Sequence, residues 1–270
     1  MTAVVTRARL DAELVRRGLA RSRQQAAELI EQGRVAVRGV RAGKPATVVD
    51  RDTPVTVQES DERQWASRGA HKLIGALDHF GDVAVAGARC LDAGASTGGF
   101  TDVLLDHGAA EVVAVDVGYG QLVWRLRSDE RVRVHDRTNV RTLTPDDIGG
   151  PVDVVVADLS FISLRTVLPA LVACTRPGGN LLPMVKPQFE VGRERLGSGG
   201  VVRDPDLRRA ALGEVAAAGR ELGLVVRGAV ASPLPGPSGN VEFFLWFVRD
   251  PAAVDVGDDV LDRAVAEGPR

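Results

Sequence analysis

From Arg89 onward the chain alternates β-branched runs with helical stretches, and this order restricts its fold more than any other feature. Cys90-Leu91-Asp92, Val112 to Asp116, a short run around Val132 and Val134, Val152 to Ala157, Asn180 to Val185, Leu224 to Val230 and Val241 to Val248 read as strands. Helical periodicity falls between them at Gly98 to His107, Ser163 to Cys174 and Asp206 to Leu222. Such alternation predicts an α/β fold with a mostly parallel sheet covered on both faces and ligands at the carboxyl ends of its strands. A chain of 270 residues leaves room for a second, smaller domain ahead of that sheet.

Charge marks the second domain. Residues 1–57 hold 11 basic and six acidic side chains, although the whole chain carries a net charge of −2. A small basic module on a larger acidic body suits a polyanion-binding appendage. Arg9 to Gly18 reads as one helix, with Leu10 and Leu14 inward, and Ser22 caps a second, Arg23 to Gln32. Alternating Val35 and Val37, a Lys44-Pro45 turn and a short strand at Val55 and Val57 follow. This string of spacings resembles the S4 RNA-binding domain, a small α+β fold. The resemblance implies that Arg16, Arg17, Arg21 and Arg23, with Arg7, Lys44 and Arg68, meet RNA phosphates, contacts that position a protein without reading sequence. The S4-like domain is expected over 1–60. A polar linker is expected over 61–70, its single Trp65 packing the two domains together.

The first strand of the larger domain runs into Asp92-Ala93-Gly94-Ala95-Ser96-Thr97-Gly98-Gly99-Phe100. Glycines after a strand let the backbone pass close beneath a ligand at a helix start. The loop lacks both the G-x-G-x-x-G dinucleotide spacing and a P-loop Gly-Lys-Ser/Thr. It resembles instead the S-adenosylmethionine loop of class I, Rossmann-like methyltransferases, which have a seven-stranded mostly parallel sheet. That resemblance implies cofactor contacts from Asp92, Gly94, Ala95, Ser96, Gly98, Gly99 and Phe100. It also implies that Asp116 accepts from the cofactor ribose and that Asp136 meets the adenine amino group.

Only three of the 34 basic residues are lysines, Lys44, Lys72 and Lys186. An ammonium can shed its proton where a guanidinium cannot, which is what a general base must do. Lys72, Asp158, Lys186 and Glu242 match in order the Lys-Asp-Lys-Glu tetrad of ribose 2′-O-methyltransferases similar to FtsJ/RrmJ. With Ser67-Arg68-Gly69-Ala70-His71-Lys72, Ala157-Asp158-Leu159-Ser160-Phe161 and Val185-Lys186-Pro187-Gln188-Phe189-Glu190, the chain is similar to the TlyA family, also labelled hemolysins. Membership would imply S-adenosylmethionine-dependent 2′-O-methylation of cytidine in 16S and 23S ribosomal RNA, within the 30S and 50S subunits, and an association with susceptibility to capreomycin-type antibiotics. The tetrad would be catalytic, Lys186 acting as base or alkoxide stabiliser beside Lys72. The catalytic domain would span 71–250, with a tail over 251–270 carrying a short helix from Asp258 to Ala266.

Phe100, Phe161 and Phe189 could stack an extruded cytosine, but aromatics beside apolar strands more often belong to the core. Gly192 to Gly200 reads as a mobile lid and Gly236-Pro237-Ser238-Gly239-Asn240 as the rim of the pocket. Cys90 and Cys174 sit in apolar surroundings, as reduced core thiols do. No apolar run reaches membrane-spanning length and no signal-peptide core is present, so a cytoplasmic monomer is expected, without a metal site. Two other readings are a non-catalytic rRNA-binding factor and a membrane-lytic protein. The first would need a tetrad residue missing, the second an exposed amphipathic or spanning segment.

Overall fold

A computed structural model describes residues 7–58, 63–236 and 239–269, apart from the side chains of Arg193 and Ser198. The chain forms two compact units, residues 1–64 and 65–270.

In the smaller unit, β1 (Arg7–Arg9) leads into α1 (Leu10–Arg16) and α2 (Arg23–Glu31), followed by β2 (Val35–Val37), β3 (Val40–Arg41), β4 (Val48–Asp50) and β5 (Val55–Val57). Strand β1 pairs with β4, while β2 lies between β3 and β5, all antiparallel. Ser22 caps α2 by accepting from the Gln25 amide at 3.2 Å. Leu10, Leu14, Ala26, Leu29, Ile30, Val35 and Val49 form its core.

The larger unit begins earlier than the sequence suggests. Trp65 and Ala66 pack on its core instead of belonging to a linker. Helix α3 (Ala70–Phe80) precedes β6 (Arg89–Ala93), α4 (Gly99–Asp106), β7 (Glu111–Val115), α5 (Trp124–Arg127) and β8 (Val132–His135). The second half holds β9 (Val152–Ala157), α6 (Leu164–Cys174), β10 (Thr175–Val185), α7 (Pro187–Glu190), α8 (Pro205–Glu221), β11 (Val225–Ala231), β12 (Phe243–Val248) and α9 (Asp259–Glu267).

Seven strands run in the order β11-β12-β10-β9-β6-β7-β8, and β12 alone runs against the other six. After β6 the chain builds outward through β7 and β8, then returns to place β9 on the other side of β6. That reversal makes β6/β9 the switch point, where open α/β sheets bind ligands. Apolar side chains cover both faces, with Leu91, Val113, Val155, Leu168 and Phe247 on one and Val112, Val154, Leu182 and Phe244 on the other. Burial pushes the Cys90 thiol up to about 12 and the Cys174 thiol up to about 11, so both are inert core groups. Helix α9 lies along α8 through Arg209, which donates to Asp258 and Asp262.

Candidate active site

Strand β6 ends at the switch point in a turn that only small residues permit. Gly94 has φ +91°, and a Cβ there would stand 2.6 Å from the Asp158 carbonyl oxygen. The amides of Gly94 and Ala95 both donate to the Val115 carbonyl, tying the turn to β7. Asp116, just past β7, accepts from the Ser96 amide at 2.8 Å and the Gly118 amide at 2.7 Å. Asp92 is buried and accepts from Thr101 Oγ1 at 2.7 Å, while its Oδ1 has no partner among the described residues. Burial pushes this carboxyl up to about 7, opposed by the hydrogen bonds from Thr101 and reinforced by Asp158 and Asp116. Asp136, past β8, accepts from Arg127 at 2.9 Å.

The last glycine of the loop serves packing. The α-carbon of Gly99 faces Ser67 and the Ala70 amide, a close approach that seats the start of α3 against α4. The ring of Phe100 is likewise buried, against Phe244 at a centroid distance of 5.9 Å.

The tetrad arrives from four elements and forms two ion pairs. Lys72, from the first turn of α3, donates to Glu242 Oε2 at 2.5 Å, and both are buried. Glu242 directly precedes β12 and lies outside the strand expected to contain it. Lys186, one residue past β10, sits 2.6 Å from Asp158 Oδ1, one residue past β9. Lys186 is buried and Asp158 half-buried. Pairing of Val185 with Phe243 makes Lys186 and Glu242 the next positions along adjacent strands. Lys72 Nζ also lies 4.0 Å from Met184 Sδ on β10. Both pairs therefore occupy the β9–β10–β12 edge of the switch point, and Asp158 reaches the Gly94 turn directly. Each amine has its own carboxylate, so the nearest charge to Lys186 is Asp158.

Further residues surround the site, and to Ser160, Glu190, Val117 and Tyr119 among them the sequence assigns no role. Ser160 Oγ accepts from Lys186 Nζ at 3.0 Å. Buried Glu190 accepts from Ser163 Oγ at 2.6 Å and the Leu164 amide at 2.7 Å, capping α6. Between them Phe161 is held at φ +64°, 91% exposed, its ring 5.3 Å from that of half-buried Phe189. Phe161 is thus no core residue, contrary to expectation. Exposed Val117 and Tyr119 follow Asp116, and Arg137 lies 4.4 Å above the Tyr119 ring. Arg68 donates to the Pro235 carbonyl at 2.8 Å, bracing the loop ahead of Glu242.

The segment read as a lid is anchored. Leu196 packs on Val191, Val202 and Ala211, and Asn240 donates to Gly200 and accepts from the Val202 amide. Pro237 and Ser238 of the expected rim lie outside the described residues.

In the smaller unit the basic residues divide. Arg17 is consumed internally, donating to Glu13 and to the carbonyls of Thr53 and Arg51, and is not available to phosphate as expected. Arg16 pairs with Glu13 and Arg23 with Asp11, each keeping about half or more of its side chain exposed. Arg7 lies 3.5 Å from Asp50. Arg21 and Lys44 have no side-chain partner among the described residues.

Comparison with known proteins agrees with both halves. Residues 65–249 match the family model of FtsJ-like methyltransferases, and residues 8–55 match that of the S4 domain. A 16S/23S rRNA (cytidine-2′-O)-methyltransferase TlyA of Mycobacterium tuberculosis is 63% identical over 97% of this chain and 99% of its own length. Hemolysin A of Brachyspira hyodysenteriae is 36% identical, over 89% of this chain and 99% of its own. Among solved structures, one described as "Putative hemolysin from Streptococcus thermophilus" superposes with a TM-score of 0.76 at 37% identity, covering 98% of this chain and 96% of that one.

Proposed function

The chain belongs to the TlyA family of FtsJ-like methyltransferases with an S4 domain, and from that membership we propose that it methylates the ribose 2′-oxygen of cytidine in 16S and 23S ribosomal RNA, drawing the methyl from S-adenosylmethionine. The observation that carries this reading is the pair of lysine–carboxylate contacts beside the glycine turn at the sheet's switch point.

The residues fit the cofactor. Gly94 lets the turn pass against the Asp158 carbonyl where any Cβ would collide, and Asp92, just before it, keeps a buried oxygen with no partner among the described residues. Asp116 would accept from ribose hydroxyls, and Val117 and Asp136 would meet the adenine, Asp136 through the oxygen that Arg127 does not engage. When bound, S-adenosylmethionine supplies a methyl already activated by its sulfonium.

The protein's own task is then to make a sugar hydroxyl nucleophilic and to aim it. Lys186 takes the 2′-proton or stabilises the alkoxide, with Asp158 beside it compensating the charge. Lys72 and Glu242 form a closed pair behind, which shapes the pocket without a net charge. Phe161 offers an exposed ring on which the target base can stack once it leaves its helix. Arg21 and Lys44, with the exposed parts of Arg7, Arg16 and Arg23, supply phosphate contacts.

The partners would be ribosomal RNA in both subunits, met by a cytoplasmic monomer, and loss of the enzyme would lower susceptibility to capreomycin-type drugs. No observation favours membrane lysis: no described helix is long and apolar enough to cross a membrane. The test is transfer of labelled methyl to purified subunits, followed by mapping of nuclease-resistant 2′-O-methyl positions. Label on cytidine ribose in both rRNAs is expected. Label on a base, or none, overturns the reading.

A further inference from the structure

One contact of Lys186 has no part in that mechanism. Asp158 Oδ1 is 2.6 Å from Nζ, yet it lacks hydrogen-bond alignment with any donor among the described residues. The aligned partner is the hydroxyl of Ser160. A carboxylate that is close but off-line supplies charge compensation, which is nearly isotropic, whereas a hydrogen bond prefers a direction. An ammonium turns freely about its Cε–Nζ bond until such a bond stops it.

We propose that Ser160 is a positioning residue, the hydroxyl that aims the Lys186 amine at the 2′-oxygen; this rests on Lys186 acting as the base. A hydroxyl suits that place because its oxygen accepts an N–H from the neutral amine and from the ammonium alike, which leaves the amine's lone pair free for the 2′-proton. It therefore holds Lys186 in one orientation before and after the transfer. The 2′-O–H bond breaks, the amine's lone pair forms the new N–H bond at Nζ, and the electron pair of the O–H bond stays on the 2′-oxygen. Ser160 is exposed while Lys186 is buried, so the hydroxyl also stands where the acquired proton must pass to water.

The loop is built to keep Ser160 there. Residues 158–164 and 186–190 meet in matched order, Asp158 and Ser160 on Lys186, Phe161 on Phe189, Ser163 and Leu164 on Glu190. Among the described residues the other charges on the surrounding elements are Asp158 itself, Asp92 at the end of β6, which Asp158 influences, the Lys72–Glu242 pair from α3 and the segment before β12, and Glu190, which caps α6 and lies 3.6 Å from Arg165.

The experiment compares Ser160→Ala and Ser160→Thr with the full-length wild type on ribosomal subunits, and measures S-adenosylhomocysteine binding by calorimetry. Ser160→Ala is expected to lower kcat by about 10- to 100-fold, as misaimed reacting groups do. It should also move the acid limb of the pH–rate profile while KM and product affinity stay put, and Ser160→Thr should restore activity. A wild-type rate and pH profile in Ser160→Ala would overturn the proposal, as would a threonine variant no better than alanine or a matching loss of product binding. Lys186→Met separates the two readings. If it stays active, the base assignment falls and this inference with it; if it is dead while Ser160→Ala is normal, only the inference falls.

Discussion

Lys72 and Lys186 share one chemistry and differ in surroundings, which separates their expected contributions. Lys72 and Glu242 are both almost wholly buried, at 5% and 1% exposure, so removing one strands the other's charge in the interior. Breaking a buried pair from one side costs about 3–5 kcal/mol. Lys186 faces a carboxylate that keeps 24% of its side chain in contact with solvent, so its loss strands less. Lys72→Met should therefore lower the melting temperature far more than Lys186→Met, with activity lost in both; equal melting temperatures would show that burial does not distinguish the pairs. Asp92 carries the opposite kind of cost. Its carboxyl ionises near 3.8 in the unfolded chain and near 7 in the fold. The unfolded state thus releases its proton first, and stability declines as pH rises from about 4 to about 7, staying lower above that. Asp92→Asn removes this decline while keeping an acceptor for Thr101. It should melt higher than wild type at pH 8 and not at pH 4, and bind S-adenosylmethionine more weakly. Calorimetry at the two pH values checks the first point and titration the second.

Among the elements, those whose apolar period matches their geometry were legible in the sequence. The strands around Leu91, Val113 and Val155, and helices α4, α6 and α8, lie within a few residues of where periodicity puts them. Helix α3 was not, because no side chain caps it and Gly75 interrupts it. That glycine is required by packing, since a Cβ there would meet Pro233 at 2.8 Å. Strands β1, β3 and β4 are too short for a period, as is α7 at one turn. The residue types of the tetrad could be picked out, but its division into two pairs could not, because that depends on the order of strands across the sheet. The exposure of Phe161 is hidden in the sequence for a related reason: beside an apolar strand it counts as core, yet its left-handed backbone turns the ring outward. A bulky residue at positive φ is costly and persists where surrounding contacts hold it. Phe161→Ala should leave the melting temperature nearly unchanged, as exposed substitutions do. A lost base–aromatic stack is worth about 1–3 kcal/mol, so kcat/KM for ribosomal RNA should fall roughly 5- to 150-fold. An unaltered kcat/KM would remove the ring from substrate recognition.

At the scale of the whole molecule the two units titrate differently, and the smaller one can be followed by itself. Its basic surplus makes RNA affinity salt-dependent, but its arginines are not equivalent. Arg21→Ala should weaken RNA binding and leave stability alone, whereas Arg17→Ala should loosen the fold, because Arg17 joins α1 to the turn at Arg51 and Thr53. Both Arg16 and Arg17 converge on Glu13, a buried carboxylate whose hydrogen bonds, first from Arg16 and then from Arg17, outweigh burial and pull it down to about 2. In the unfolded chain the same group ionises near 4.5. Its contribution is therefore complete above about pH 4.5, shrinks as pH falls, and is gone below about 2. Glu13→Gln cannot form the ion pairs at any pH. The difference in stability between wild type and Glu13→Gln should accordingly be largest at neutral pH and vanish as pH falls toward 2. Tryptophans 65, 124 and 246 all lie in the larger unit, so tryptophan fluorescence does not report on this change directly. Methyl NMR signals of Leu10 and Leu14 do, being buried in the smaller core. A wild-type-to-variant difference that stayed constant across that range would mean that Glu13 is held by packing and not by its two arginines.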